Sequence, residues 1–205
     1  MGKHFIGLVI STVMFLFSSA AFSAGAPSTT HRWFFSAGLG ASSGTLAGSD
    51  LGLSSRSMIV YGANTDLGLQ FGGFRFGAGA DYNLWKQLKS PSDLDGTNAQ
   101  GTEFSWGPML GYNFGKFLLL GRYYTSSTYS LEKADSSGNK VSFSKPKSSF
   151  SIECRIPFGS GTPYVGLEYK SMQYSSVDSG GTVTSIPSGS ELKTSSFGAS
   201  IGMGF

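Results

Sequence analysis

Cysteine is nearly absent. Cys154 stands alone in 205 residues, so no internal disulfide framework can form. Histidine is almost as scarce, with only His4 and His31, and no His or Cys cluster has the spacing of a metal site. Charged residues make up 13% of the chain, about half the ~25% usual in globular proteins. The net charge of +3 comes from 15 bases and 12 acids without a strong basic run, which argues against a nucleic-acid partner. Phosphate-loop motifs are missing; the glycines of 72–79 follow no βαβ pattern, and no cofactor is implied. Aromatics are plentiful at 14%, which excludes disorder.

The N-terminus reads as an address. Lys3 precedes an apolar stretch from Phe5 to Phe17, and the small residues Ser18 to Ala21 follow. This is the order of a secretory signal peptide. The stretch is shorter than the ~17–25 residues of a membrane helix. Cleavage after Ser23 or after Ala21 fits the small-residue rule, so residues 1–23 are expected to leave and 24–205 to form the mature domain. Removal of Lys3 leaves 14 bases against 12 acids.

Beyond that segment no apolar run suits a membrane helix, and thirty glycines disfavour helices of any kind. What recurs is a period of two. Phe197, Ala199, Ile201, Met203 and Phe205 alternate with Gly198, Ser200, Gly202 and Gly204. Phe74, Phe76, Ala78, Ala80, Tyr82 and Leu84 alternate with Arg75, Gly77, Gly79, Asp81 and Asn83. The pattern predicts eight strands, near 32–41, 57–70, 74–84, 103–114, 117–126, 149–158, 163–174 and 194–205. Short turns near 72–73, 115–116 and 159–162 alternate with long polar connections near 42–56, 85–102, 127–148 and 175–193. An even number of ~10-residue strands with turns short at one end and long at the other is the pattern of an antiparallel up-and-down transmembrane β-barrel.

Three features turn the apolar face outward, toward lipid. The other face is crowded with glycine, such as Gly38, Gly62, Gly77 and Gly202, which suits the narrow inside of an eight-stranded barrel. The charges keep to that same face: Asp66, Arg75, Asp81, Glu103, Arg122, Glu153, Arg155, Glu168 and Lys170. For the fifth strand Arg122 itself chose the face. A base facing lipid at mid-membrane would cost roughly 2–4 kcal/mol. Finally, aromatics collect at both ends of the outward faces: Phe71, Phe74, Phe114, Phe117, Phe158 and Phe205 by the short turns, and Tyr61, Tyr82, Trp106, Tyr123, Phe150, Tyr169 and Phe197 toward the long loops. Two such bands mark two membrane interfaces.

The chain thus resembles the small eight-stranded outer-membrane barrels, the group including the OmpA transmembrane domain, OmpX and the opacity-type proteins. The resemblance is one of pattern over the mature chain. Its most specific part is the end, where Phe197, Ile201, Met203 and Phe205 resemble the signal such barrels present to the barrel-assembly machinery. It implies export through the periplasm to the bacterial outer membrane, in contact with its lipid and lipopolysaccharide. Pro108 departs from the pattern; a proline inside a paired strand removes a ladder bond, so a bulge is expected there.

Catalysis finds little to work with. Once His4 has left, His31 remains alone before the first strand, and the pattern places neither Ser36 nor Glu153 beside it. Asp81 and Glu103 are more simply read as members of ion pairs. Cys154 falls on the lipid-facing parity as a small apolar filler. In a meander, Arg122 is expected to face Glu153 and Arg155 to face Glu168, with Asp66 and Arg75 flanking a short turn. The third loop carries Lys133, Lys140, Lys145 and Lys147 against Glu132 and Asp135, a local positive charge suited to lipopolysaccharide phosphates or an acidic partner. The fourth, rich in Ser, Gly and Thr, is expected to extend a hairpin. The expected role is non-enzymatic: a surface or envelope protein anchored by its barrel, whose four long extracellular loops meet an unidentified partner. A narrow pore for small solutes or ions ranks second, and a lipid-modifying enzyme third.

Overall fold

The computed structural model describes residues 32–48, 53–88, 99–132, 139–158 and 163–204. The expected signal peptide, His31, Lys133, Asp135 and Phe205 lie outside the described residues. The strands are β1 (Arg32–Gly48), β2 (Leu53–Phe71), β3 (Phe74–Gln87), β4 (Gly101–Asn113), β5 (Leu118–Tyr123), β6 (Ser126–Leu131), β7 (Val141–Pro146), β8 (Phe150–Pro157), β9 (Pro163–Ser179), β10 (Thr182–Ser185) and β11 (Leu192–Gly204).

All pairings are antiparallel, and β11 pairs both β9 and β1, so the sheet closes on itself. β5 and β6 together form one barrel stave, since both pair with β4. β7 and β8 form the next, since both pair with β9. With β1, β2, β3, β4, β9 and β11 this makes the eight staves, while β10 is a short arm folded back on β9.

Both divided staves contain a one-residue bulge. Met109 faces Arg122 while Trp106 faces Ser126, so three steps along β4 match four along its partner. Pro108 lies in this interval, but β4 itself runs unbroken, with Pro108 facing Ala78 of β3. The extra residue therefore sits opposite the proline, in the strand that would have needed its missing N–H. Likewise Pro146 faces Tyr174 while Phe150 faces Ser171, four steps against three.

The strands outrun the sequence-based spans. β1 and β9 have 17 residues each and β2 has 19, against the ~9–11 that cross a bilayer. Much of what reads as long loop is thus strand continuing above the membrane. β6 and β7 occupy parts of the expected third loop, and β9 and β10 form the expected hairpin of the fourth.

The polarity of the wall inverts along its height. In the lower part the outward side chains are apolar and exposed, including Trp33, Leu39, Leu67, Phe76, Leu110, Ile152 and Ile201. Their inward neighbours are mostly Ser, Gly and charged residues, with one small buried apolar cluster of Phe34, Met109, Leu118 and Leu120 among them. Above Tyr61 and Phe197 the inner face becomes apolar: Leu46, Met58, Val60, Trp85, Tyr129, Phe143, Met172, Tyr174 and Leu192 pack into one buried cluster. There the outward positions are Thr45, Ser57, Lys86, Gln173 and Lys193, suited to water. The barrel is inside-out where lipid surrounds it and built like a soluble core where water does.

Candidate functional site in the barrel lumen

All nine charges singled out from the sequence lie on the inner face of the barrel, and the centre of their arrangement is Arg122. Its Nε and Nη2 donate to the two carboxylate oxygens of Asp66 at 2.7 and 3.0 Å. Nη2 also reaches Glu153 at 2.8 Å, and Nη1 reaches Glu168 at 3.1 Å. A planar five-donor guanidinium serves three carboxylates and Ser151 at once through five contacts, two of them on Asp66; a lysine has only three donors. Arg155 adds contacts to Asp66 at 2.6 Å and Glu153 at 2.8 Å, donates to Ser36 Oγ, and lies over the ring of Tyr164.

A second knot lies nearer the outer end. Lys170 donates to Asp81 at 3.0 Å, Glu103 at 2.7 Å and Ser105 at 2.8 Å, using all three of its protons. Tyr124 joins the two knots: its hydroxyl donates to Asp81 and contacts Ser151, and its ring lies under Lys170. Tyr174 donates to Glu103 from the apolar layer above. Tyr124 and Tyr174 belong to that apolar cluster by their rings and to the charge network by their hydroxyls.

Several sequence-based expectations need correction. Arg155 does not meet Glu168. The register sets Glu153 opposite Glu168 and Arg155 opposite Gly166, so two like charges are cross-strand neighbours and Arg122 comes between them. Arg75 does not pair with Asp66. Its register partner is Gln70, whose Oε1 accepts from Arg75 Nε at 3.0 Å, and its guanidinium lies over Phe34. Arg122 does meet Glu153 as the meander implies. Asp81 and Glu103, the carboxylates weighed for catalysis, share one lysine and are buried.

The tyrosines and the inner apolar layer were missed from sequence. The signal was there in Met58 and Val60, which share parity with Asp66, and in Trp85, which shares parity with Asp81. Apolar residues on the charged face toward the long-loop ends mark the height at which the wall inverts.

Between the two layers, on the β1, β2 and β11 side, lies a polar cavity of about 30 Å³. Asn64, Asn83, Asp81, Glu168 and Lys170 are among its walls, with Gly40, Gly62 and Gly198. A side chain at Gly62 would collide with Asn83 Oδ1, so its absence lets that amide lie against the wall.

At the outer rim Lys86 pairs with Glu132 and Lys147 with Glu191, at 2.8 and 3.0 Å. Lys140, Lys145 and Lys147 are exposed, and Val183 of β10 stands in solvent. Cys154 is a free thiol on the outward parity of β8. At the opposite end the rings of Phe74, Tyr112, Phe114 and Phe117 contact in sequence, edge to face at the first two steps and stacked at the third, with centroids 4.7 Å apart at each step. Ile201 and Met203 are exposed on the wall beside Phe197.

Among solved structures the fold is similar to that of Neisserial surface protein A, with 16% identity, a TM-score of 0.50, and coverage of 86% of this chain and 99% of that one. A second similar structure is Ail, the attachment invasion locus protein of Yersinia pestis, solved with the heparin analogue sucrose octasulfate. Its identity is 11%, its TM-score 0.43, and its coverage 85% of this chain and 99% of that one. No protein-family model and no curated protein matches the chain. The fold is that of an eight-stranded antiparallel transmembrane β-barrel.

Proposed function

We propose that this protein is a non-enzymatic component of the bacterial outer membrane, exported through the periplasm, whose barrel is an anchor and whose outer rim and loops contact a partner. The observation that carries the reading is the filling of the lumen at two levels. Arg122, Glu153 and Glu103 form a buried charged layer, and Trp85, Tyr129, Tyr174 and Leu192 a buried apolar one above it. Filling at two heights supports a closed lumen over a narrow pore. Lys170 holds both candidate carboxylates, which supports a structural role for them over a catalytic one.

What is left for function is the rim. The exposed lysines 140, 145 and 147 favour an anionic partner, with the phosphates of lipopolysaccharide as the nearest source. The test compares the refolded barrel, wild type and with those three lysines changed to serine, for binding to lipopolysaccharide micelles before and after enzymatic dephosphorylation. Binding that weakens with either change, and weakens further with salt, supports the reading. Equal binding in all four combinations would overturn the anionic partner.

A further inference from the structure

The two charge knots are short of positive charge. Five cations lie on the inner face, but Arg75 is turned toward Gln70 and Phe34 at the lower end, and Arg56 is buried in the upper layer beside Leu46. The two knots therefore hold five carboxylates on Arg122, Arg155 and Lys170 alone. Excess charge of one sign is costly in a space closed off from water.

The shortage is localised. Asp66 and Glu153 are each held by two arginines. Glu168 has one ion pair, the longest of the Arg122 set at 3.1 Å, and its side chain is 23% exposed, toward the cavity that it lines. Asp81 lines the same cavity; it is 3% exposed, its Oδ2 takes the bonds from Lys170 and Tyr124, and its Oδ1 is buried without a hydrogen-bond partner. Asn83 adds an acceptor: its Nδ2 is spent on Glu103, and its Oδ1 lies over Gly62. Asn64 Oδ1 lies over Gly38 and accepts only a long bond, 3.5 Å, from Tyr164. Asp81, Glu168, Asn83 and Asn64 thus line a space whose lining cation, Lys170, spends its three protons on Asp81 Oδ2, Ser105 and Glu103. At about 30 Å³ the space takes one or two water-sized occupants. A hard cation with oxygen ligands fits this donor set, and the described residues contain no group of three or more His, Cys, Asp or Glu that could hold a metal ion.

We infer that this cavity is a binding site for one small monovalent cation, Na⁺ or K⁺, held by Asp81 Oδ1, Glu168 and the side-chain oxygens of Asn83 and Asn64. The ion supplies the missing charge and locks the β1–β2–β11 side of the barrel, where glycine leaves the wall unfilled, to the charge network on the other side.

The experiment is urea unfolding of the refolded mature protein in vesicles at neutral pH and fixed ionic strength, in NaCl, KCl or choline chloride. Choline is too large for the cavity. A ligand that binds only the folded state raises the folded-to-unfolded ratio about tenfold at ten times its dissociation constant. That rise is expected in Na⁺ or K⁺ and not in choline, and Glu168→Gln, with one carboxylate fewer, is expected to abolish the difference between salts. Equal stability of the wild type in all three salts would overturn the site. So would a salt difference that persists in Glu168→Gln. Stabilisation that appears only on acidification, and equally in every salt, would put a proton where the cation is inferred. If Glu168→Gln fails to fold, the wild-type comparison decides alone.

Discussion

Arg122→Met tests the charge network at its centre. The substitution nearly keeps the volume of the side chain while removing every contact to Asp66, Glu153 and Glu168. Asp66 and Glu153 retain Arg155, at 2.6 and 2.8 Å. Glu168 loses its only ion pair, with Glu153 directly across the strand boundary. Breaking a buried pair by removing one partner costs about 3–5 kcal/mol, because the carboxylates left behind stay desolvated. Adding Glu153→Gln removes one of those carboxylates. The double variant is therefore expected to be more stable than Arg122→Met alone, with a coupling of about 0.5–3 kcal/mol. Arg122→Lys, which keeps the charge but not the fork, falls between wild type and Arg122→Met. The assay is urea titration of tryptophan fluorescence in vesicles, with heat-dependent gel mobility to confirm folding. If the double variant is no more stable than the single one, the contacts are geometric coincidence and the network does not hold the lumen together.

Two glycines with opposite surroundings make a paired test. Gly68 faces Gly77, and a Cβ at Gly68 would lie 2.1 Å from the Phe76 carbonyl, so Gly68→Ala is expected to cost about 1–3 kcal/mol. Gly121 sits on the lipid-facing wall, where a Cβ would meet nothing nearer than 3.9 Å, so Gly121→Ala is expected to be neutral or to stabilise by about 0.4–1 kcal/mol. The same unfolding titration separates them, and equal effects would contradict the packing. At the rim, its own backbone N–H and the Lys147 ammonium hold the Glu191 carboxyl down at about 2, from an ordinary 4.5. A depressed carboxyl stabilises fully above its unfolded value, and that stabilisation is lost as the pH falls from 4.5 toward about 2. Glu191 also accepts from the Gly189 N–H at 2.8 Å, so exchange of that amide is expected to lose protection over this range in the wild type and not in Glu191→Gln. An identical pH dependence in both would refute it.

The transmembrane wall was legible because two solvents act on alternate residues of each strand. Lipid selects Phe76, Leu110 and Ile201, the narrow lumen selects glycine and charge, and a period of two follows. The upper wall was less legible because the same period continues there with its meaning reversed. Leu46, Met58 and Trp85 keep the inward parity but belong to an apolar layer, and the serines and lysines outside them read as loop. Which charges would be inside was readable from parity; who would pair with whom was not. Pairing depends on register, and a one-residue bulge such as that beside Pro108 shifts every partner beyond it. Arg155 and Glu168 are separated by the β8–β9 register itself, which runs unbroken from Pro157 opposite Tyr164 and sets Gly166 opposite Arg155; the tyrosine hydroxyls that join the layers left no mark in the alternation.

If the charged layer and the apolar layer fill the lumen as proposed, the barrel conducts no ions. Single-channel conductance of the refolded mature chain in a planar bilayer tests it most directly, with Arg122→Ala measured in parallel. No discrete steps are expected from a wild-type preparation shown to be folded by heat-dependent gel mobility. Discrete steps from the wild type, altered in size by Arg122→Ala, would contradict it and make the inner charges the lining of a pore.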